Sequence, residues 1–295
     1  MAKVLGILLV AIAVSGPVSA QVIDDVEVLD WDRPEAWAMK YFNSVSILTG
    51  LGPPTAREPW TFSVGLELDT IPRLSEDQRR IGFGGAKVED INRLPAIFRP
   101  RVTVGLPAKI SLDVAWVPPV EVRGVESNLL AIAFERPFYS AGPWTLGVRI
   151  YGQLGKVSGD FTCSEDDAFF PPGPPDNIYG CEAPSEDELT LNYLGAAFTG
   201  GYRLKKTDFH WGVAANYMDM EFQVNALTYG FHDQSLLVTD GWTWSVNGGA
   251  SWRLGGRTSL AVELFYSPLS VIRPPSTSQE NDFLLNLRTM LRIDL

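Results

Sequence analysis

The sequence predicts an all-β protein: a transmembrane, antiparallel, up-and-down β-barrel of about ten strands, preceded by a short N-terminal helical segment. Three observations lead there. Segments with a period of two recur from Trp60 onward, apolar on one side and polar on the other. The connections between them alternate short and long, and aromatic residues of the apolar side collect near segment ends.

Residues 1–20 read as a secretory signal peptide. Lys3 supplies the charge, 4–14 the apolar run, and Val18-Ser19-Ala20 the small-residue cleavage site before Gln21. The later chain has no stretch of about 18–20 apolar residues that would span a bilayer as a helix. Removing Lys3 leaves 23 basic against 35 acidic residues, a balance of −12, which excludes nucleic acid as a natural partner. Cys163 and Cys181 lie in one segment, and in an oxidising compartment that favours a disulfide.

Residues 21–58 form an N-terminal periplasmic or plug segment. Asp32-x-x-Glu35 with Pro34 suggests a helix start, and Gly50 its stop. Trp37, Tyr41, Val45 and Leu48 then fall in one helical stripe. The alternative is a strand over 41–49, which with one more would bring the count to twelve.

Residues 59–295 carry the alternation. Trp60, Phe62, Val64, Leu66 and Leu68 form the first apolar face, and Val102, Val104 and Leu106 the second. Ile110 to Trp116, Leu130 to Phe134 and Trp144 to Ile150 follow the same rule, as do segments starting at Leu189, Phe209, Trp242 and Leu260. After Leu189 the pattern slips around 195–201, which suggests a bulge. In the last segment Phe283, Leu285, Leu287, Leu291, Ile293 and Leu295 share one face, and Asn286, Arg288, Met290, Arg292 and Asp294 the other.

The connections run 71–97, 107–108, 118–125, 137–141, 155–187, 205–208, 219–240, 255–256 and 270–281, alternating long or medium with short. A soluble sandwich has no reason to segregate loop lengths by end; a membrane barrel does. The same topology sorts Trp60, Phe134, Trp144, Trp211 and Trp252 to one level and Trp116, Tyr217, Trp242, Trp244, Tyr266 and Phe283 to the other.

On these residues the chain resembles bacterial outer-membrane β-barrel proteins as a class, over 59–295. The terminal strand Leu287-x-x-x-Leu291-x-Ile293-x-Leu295 ends on leucine where such proteins usually end on an aromatic residue. The resemblance implies the outer membrane of a Gram-negative cell, contact with its lipid and lipopolysaccharide, insertion by the barrel-assembly machinery, and no particular activity. With an even strand count, the N-terminal segment and the C-terminus both belong on the periplasmic side.

Under this register Glu67, Asp69, Arg101, Lys109, Asp113, Glu135, Arg149, Arg253, Glu263, Arg288 and Arg292 point inward. In a narrow ten-stranded lumen, opposite charges pair into a closing network or line a selective channel. Loop 155–187 is strongly acidic and proline-rich, and Glu165, Asp166 and Asp167 are its weak candidates for a divalent cation. Loop 71–97 is basic; it could fold over the mouth against the acidic loop or grip lipopolysaccharide phosphates.

Catalysis is not expected. Omptin proteases resemble this layout, with a His–Asp pair facing an Asp pair at the external rim. Here His232 and Asp233 are adjacent, Asp69, Asp219 and Asp240 lie near that rim, and His210 is at the opposite end. No cofactor is implied. The reading that follows is a narrow or plugged channel or transporter for a small or hydrophobic solute. The alternative is a closed barrel that presents acidic loops to a surface partner.

Overall fold

A computed structural model describes residues 21–295; the expected signal peptide lies outside the described residues. Ten long strands follow one another: β1 (Phe62–Thr70), β2 (Ala96–Leu106), β3 (Ile110–Val122), β4 (Val125–Ala141), β5 (Trp144–Gly159), β6 (Asp187–Leu204), β7 (Thr207–Gln223), β8 (Leu236–Gly255), β9 (Thr258–Val271) and β10 (Glu280–Asp294). Each pairs antiparallel with the next, and β10 returns to β1 from Arg288↔Asp69 to Asp294↔Ser63, closing the ring. Closure removes the free sheet edges that would otherwise invite aggregation.

The period of two decides the faces. In β10, Phe283, Leu285, Leu287, Leu291 and Ile293 are exposed outward, while Leu284, Asn286, Arg288 and Met290 are buried inside. The long connections all leave one end, called external here, although one of the expected loops is absent. Where a medium loop is expected at 118–125, β3 and β4 meet in a tight Arg123-Gly124 turn with positive φ at both residues. Pro118 and Pro119 do not end the strand, because a register shift between Val117 and Val120 accommodates them. Pro137 sits in a similar irregularity, so the turn at the other end is Gly142-Pro143 and not 137–141.

The slip at 195–201 is not a bulge, since β6 keeps one register with β7 from Glu188↔Gln223 to Leu204↔Thr207. The faces change character instead. Leu189, Leu191 and Tyr193 are buried inside the ring, below which Gly195, Ala197 and Thr199 take the inward positions.

The N-terminal segment, expected as a periplasmic or plug segment, enters the ring from the external end. Helix α1 (Pro34–Ser46) lies within the ring against β6, β7, β9 and β10, with Trp37, Tyr41 and Val45 buried. Pro34 opens it, but Arg33 and not Asp32 is the flanking residue, without a side-chain cap. The alternative strand at 41–49 does not form, which fixes the ring at ten. Before α1, Val26–Val28 pairs parallel with Leu236–Val238 at the external end of β8. After α1, Arg57 meets Asp294 at 3.3 Å at the short-turn end. The chain therefore runs down through the lumen; residues 21–33 sit at the external level, not beside the C-terminus.

Candidate functional site

The lumen has two levels with different chemistry. In the lower one, arginines converge on the end of α1 and the residues after it. Arg99 donates to Glu67 (2.9 Å), Asp69 (2.7 Å) and the Ser46 carbonyl (2.8 Å). Arg101 donates to Glu67 (3.3 Å), Asp113 (2.8 Å) and the Thr49 carbonyl (2.8 Å). Arg149 pairs with Asp113 at 2.7 Å. Arg288 donates to the carbonyls of Ser44, Val45 and Ile47 and lies 3.8 Å over the Phe265 ring. Arg292 reaches the Gly50 carbonyl at 3.4 Å.

The physical logic is that of a helix C-terminus. Its last carbonyls have no intrahelical partner and carry the negative end of the dipole, so cations stabilise them. Here they are capped by guanidinium groups from β2 and β10, which bring hydrogen bonds as well as charge. Glu263 completes the level, accepting from Thr49 (2.6 Å) and Asn247 (2.6 Å), with His210 Nε2 3.2 Å away.

Of the residues expected inside, Glu67, Asp69, Arg101, Asp113, Glu135, Arg149, Glu263 and Arg288 are buried, and Arg292 is half-buried against Gly50. Two are not. Lys109 stands exposed in the 107–109 turn, where Ala108 and Lys109 both take positive φ and the alternation has ended. Arg253 is exposed beside the irregularity between Arg253 and Gly255. Sequence reading missed Arg99. The signal was present, for Arg99 is two residues before Arg101 on the same face and lies beyond the end of the expected connection 71–97.

The upper level is apolar. A cavity of about 550 Å³ lies between α1 and the external loops. Ala38, Met39 and Phe42 of α1 face it, opposite Leu129 of β4, Val157 of β5, Leu189 and Leu191 of β6, Phe222 of β7 and Leu237 of β8. Loop 71–97 roofs it with Ile81, Phe83 and Ile91, while Arg33, Glu35, Glu89 and Arg93 ring its polar margin.

The roof is fastened on two sides. Gly84 N donates to Glu35 Oε1 of α1 at 2.6 Å. Lys87 is buried between Glu89 (2.8 Å), Asp167 (3.3 Å) and the Thr162 carbonyl, and Arg93 binds Asp160. Phe83 stacks on Tyr179 at 5.2 Å. Loop 71–97 is thus folded over the mouth against the acidic loop. With Lys87 and Arg93 engaged there and Arg80 on Glu76, Arg73 is the loop's exposed arginine among those expected to meet phosphates. Burial pushes the Glu89 carboxyl up to about 7, with Lys87 opposing. Cys163 and Cys181 are bonded, with Cα atoms 5.7 Å apart.

Other candidates do not assemble. Glu165, Asp166 and Asp167 form one helical turn capped by Ser164, with Asp167 committed to Ser164 and Lys87. Among the described residues no group of three His, Cys, Asp or Glu side chains is placed to hold a metal ion. His232 bonds Asn225 at 2.7 Å in a small external sheet, Asp233 accepts from Ser235, Asp69 is held by Arg99, and the register partners Asp219 and Asp240 are exposed outward. No His–Asp pair faces an Asp pair among them.

The outside of the ring decides where the molecule resides. Val64, Leu66, Leu68, Val102, Ile132, Val148, Ile150, Leu285 and Leu287 are each more than a third exposed around the wall. Trp60, Phe134, Trp144, Trp211 and Trp252 border this band at the short-turn end, and Trp116, Trp242, Trp244 and Phe283 at the external end. A continuous apolar belt of this extent is compatible with lipid and not with water. The chain is a membrane-spanning β-barrel. Its wall faces membrane lipid.

No family model matches the sequence, and no curated protein does. Solved structures with a similar architecture include the outer membrane protease OmpT from Escherichia coli, at 12% identity over 80% of this chain and 94% of that chain, TM-score 0.39. The COG4313 outer membrane channel from Pseudomonas putida F1 is 8% identical over 85% and 100%, TM-score 0.42. The Pseudomonas putida toluene transporter TodX is 11% identical over 92% and 78%, TM-score 0.32.

Proposed function

We propose that this barrel is a plugged transporter for a small apolar solute, with residues 21–58 as the plug and the cavity above α1 as the binding site. The cavity carries the reading. A partly open space of about 550 Å³ walled by Met39, Phe42, Leu189, Leu191 and Phe222 suits a ligand that loses water on entering and needs few polar partners. Below it, the arginine-capped end of α1 keeps ions from passing while the solute waits. A purely structural barrel would gain stability by filling that space, because interiors otherwise pack to near-crystal density. The barrel-assembly machinery would insert it like others of its class.

The test is equilibrium binding of radiolabelled naphthalene to the refolded protein in lipid nanodiscs, corrected for empty nanodiscs. Saturable binding that is lost in Leu191→Trp, with heat-modifiable migration retained, supports the reading. Equal retention by Leu191→Trp and the parent protein contradicts it.

A second reading, a closed barrel presenting loop 155–187 to a surface partner, draws support from the way Lys87 and Arg93 fix that stapled loop. It requires an empty cavity and a partner lost with the loop.

A further inference from the structure

Between β8 and β9 the wall is unzipped in its external half, as it also is between β2 and β3, where pairing stops at Arg101↔Ala115. β8 and β9 pair from Gly255↔Thr258 to Val246↔Tyr266 and no further, although β8 continues to Leu236 on β7 and β9 to Val271 on β10. The external half of this seam is a wedge. Its cause is legible in β9: Pro268, two residues beyond the last pair, has no N–H to give a neighbouring strand.

At the external border of the apolar band, marked by Trp244 and Phe283, backbone groups freed this way and buried by the plug still need other partners. The plug supplies them. Lys40 of α1, buried and with its ammonium 4.7 Å over the Trp31 ring, donates to the Ser270 carbonyl at 2.9 Å and to the Trp31 carbonyl at 2.5 Å. Ile272 N donates to the Asp32 carbonyl at 2.7 Å. Ser44 donates to Ser267, their hydroxyl oxygens 3.5 Å apart, and Ser267 in turn donates to the Trp244 carbonyl at 3.3 Å. Trp31 lies on Gly241, where an added Cβ would come within 2.9 Å of the indole. The seam is therefore closed by backbone of residues 26–32 and by side chains of α1, and not by a continuous ladder between β8 and β9.

That element is the same helix that walls the cavity. Ala38 and Phe42 face the cavity; Lys40 is rotated about 200° from each by the helical repeat and, with Ser44, closes the wedge. One helix thickness separates the apolar site from the outer leaflet. We propose that the wedge between β8 and β9 is a lateral portal and α1 its door, through which the apolar ligand exchanges between the cavity and membrane lipid. This rests on the transporter reading above.

The experiment locks the door. Ser44→Cys with Ser267→Cys joins α1 to β9 on oxidation, and Arg93→Cys with Asp160→Cys joins the roof to the acidic loop. Protein loaded with radiolabelled naphthalene in nanodiscs is chased with unlabelled naphthalene. The portal predicts exchange at least tenfold slower in the oxidised Ser44→Cys/Ser267→Cys protein and restored by reductant, with wild type in the same reductant as control for Cys163–Cys181. Lys40→Met, which removes two closing hydrogen bonds, accelerates exchange. Exchange indifferent to the wedge lock, or slowed only by the roof lock, overturns the portal while leaving the cavity in place. Failure of the unlocked protein to bind naphthalene overturns the cavity reading itself, and the portal with it.

Discussion

Arg288 of the last strand donates to the carbonyl of Ile47, just past the end of α1, at 2.5 Å. These residues are 241 positions apart, and the bond joins the terminal strand to the plug. Replacing Arg288 by Met keeps much of the bulk but orphans the carbonyls of Val45 and Ile47 and leaves that of Ser44 with only the Ile47 N–H. Each buried unsatisfied group costs about 1–3 kcal/mol. The expected outcome is a loosened plug in a folded barrel: transient current steps in planar bilayers and a lower temperature for loss of heat-modifiable migration. A silent variant with unchanged thermal behaviour would show that Arg288 does not hold the plug.

Arg99 joins Glu67, Asp69 and Ser46, all buried. Arg99→Met leaves buried Asp69 without its counter-charge, while Glu67 keeps Arg101, and is expected to destabilise by roughly 3–5 kcal/mol. Adding Asp69→Asn should recover part of that loss, because the two residues are in contact and their effects are not additive. Urea midpoints of the two single variants and the double variant check this coupling.

The Cys163–Cys181 bridge spans 18 residues of the acidic loop. Replacing both cysteines by serine should cost roughly 3 kcal/mol locally by the loop-closure argument. The loop, not the barrel, should yield. Limited proteolysis is expected to cut within 155–187 much faster, while the ring keeps its heat-modifiable migration.

Closure of the roof should depend on pH through Glu89, whose carboxyl is raised from 4.5 to about 7 by burial. The folded loop holds this proton more readily than the unfolded one, so the contribution to closure is fully present below about 4.5 and is lost as pH rises through about 7. Amide hydrogen exchange in 71–97, corrected for intrinsic rates, should be slower at pH 5 than at pH 8. Glu89→Gln should flatten that difference; a variant as pH-sensitive as the parent would assign the effect elsewhere.

The barrel was legible because a wall between water and lipid writes a period of two into every strand, and β10 states it plainly. The lower lumen followed from the same rule, since Glu67, Asp113 and Arg288 alternate with lipid-facing leucine or valine neighbours. The upper lumen did not. Leu189 and Leu191 are apolar and point inward, so a rule that sends apolar residues outward misassigns them and reads the change as a bulge. The path of 21–58 was equally hidden, because strand parity fixes where β1 begins but not how the chain arrives there. Pro118 and Pro137 misled for a local reason: proline ends a regular strand but fits an irregular one.

The central claim, that residues 21–58 close the lumen, is tested most directly by single-channel recording of the refolded mature protein and of a form lacking 21–58, each checked for heat-modifiable migration. The account predicts silence from the mature protein and steady current steps from the truncated barrel. Steady currents from the mature protein, or silence from a truncated barrel that migrates as folded, would contradict it.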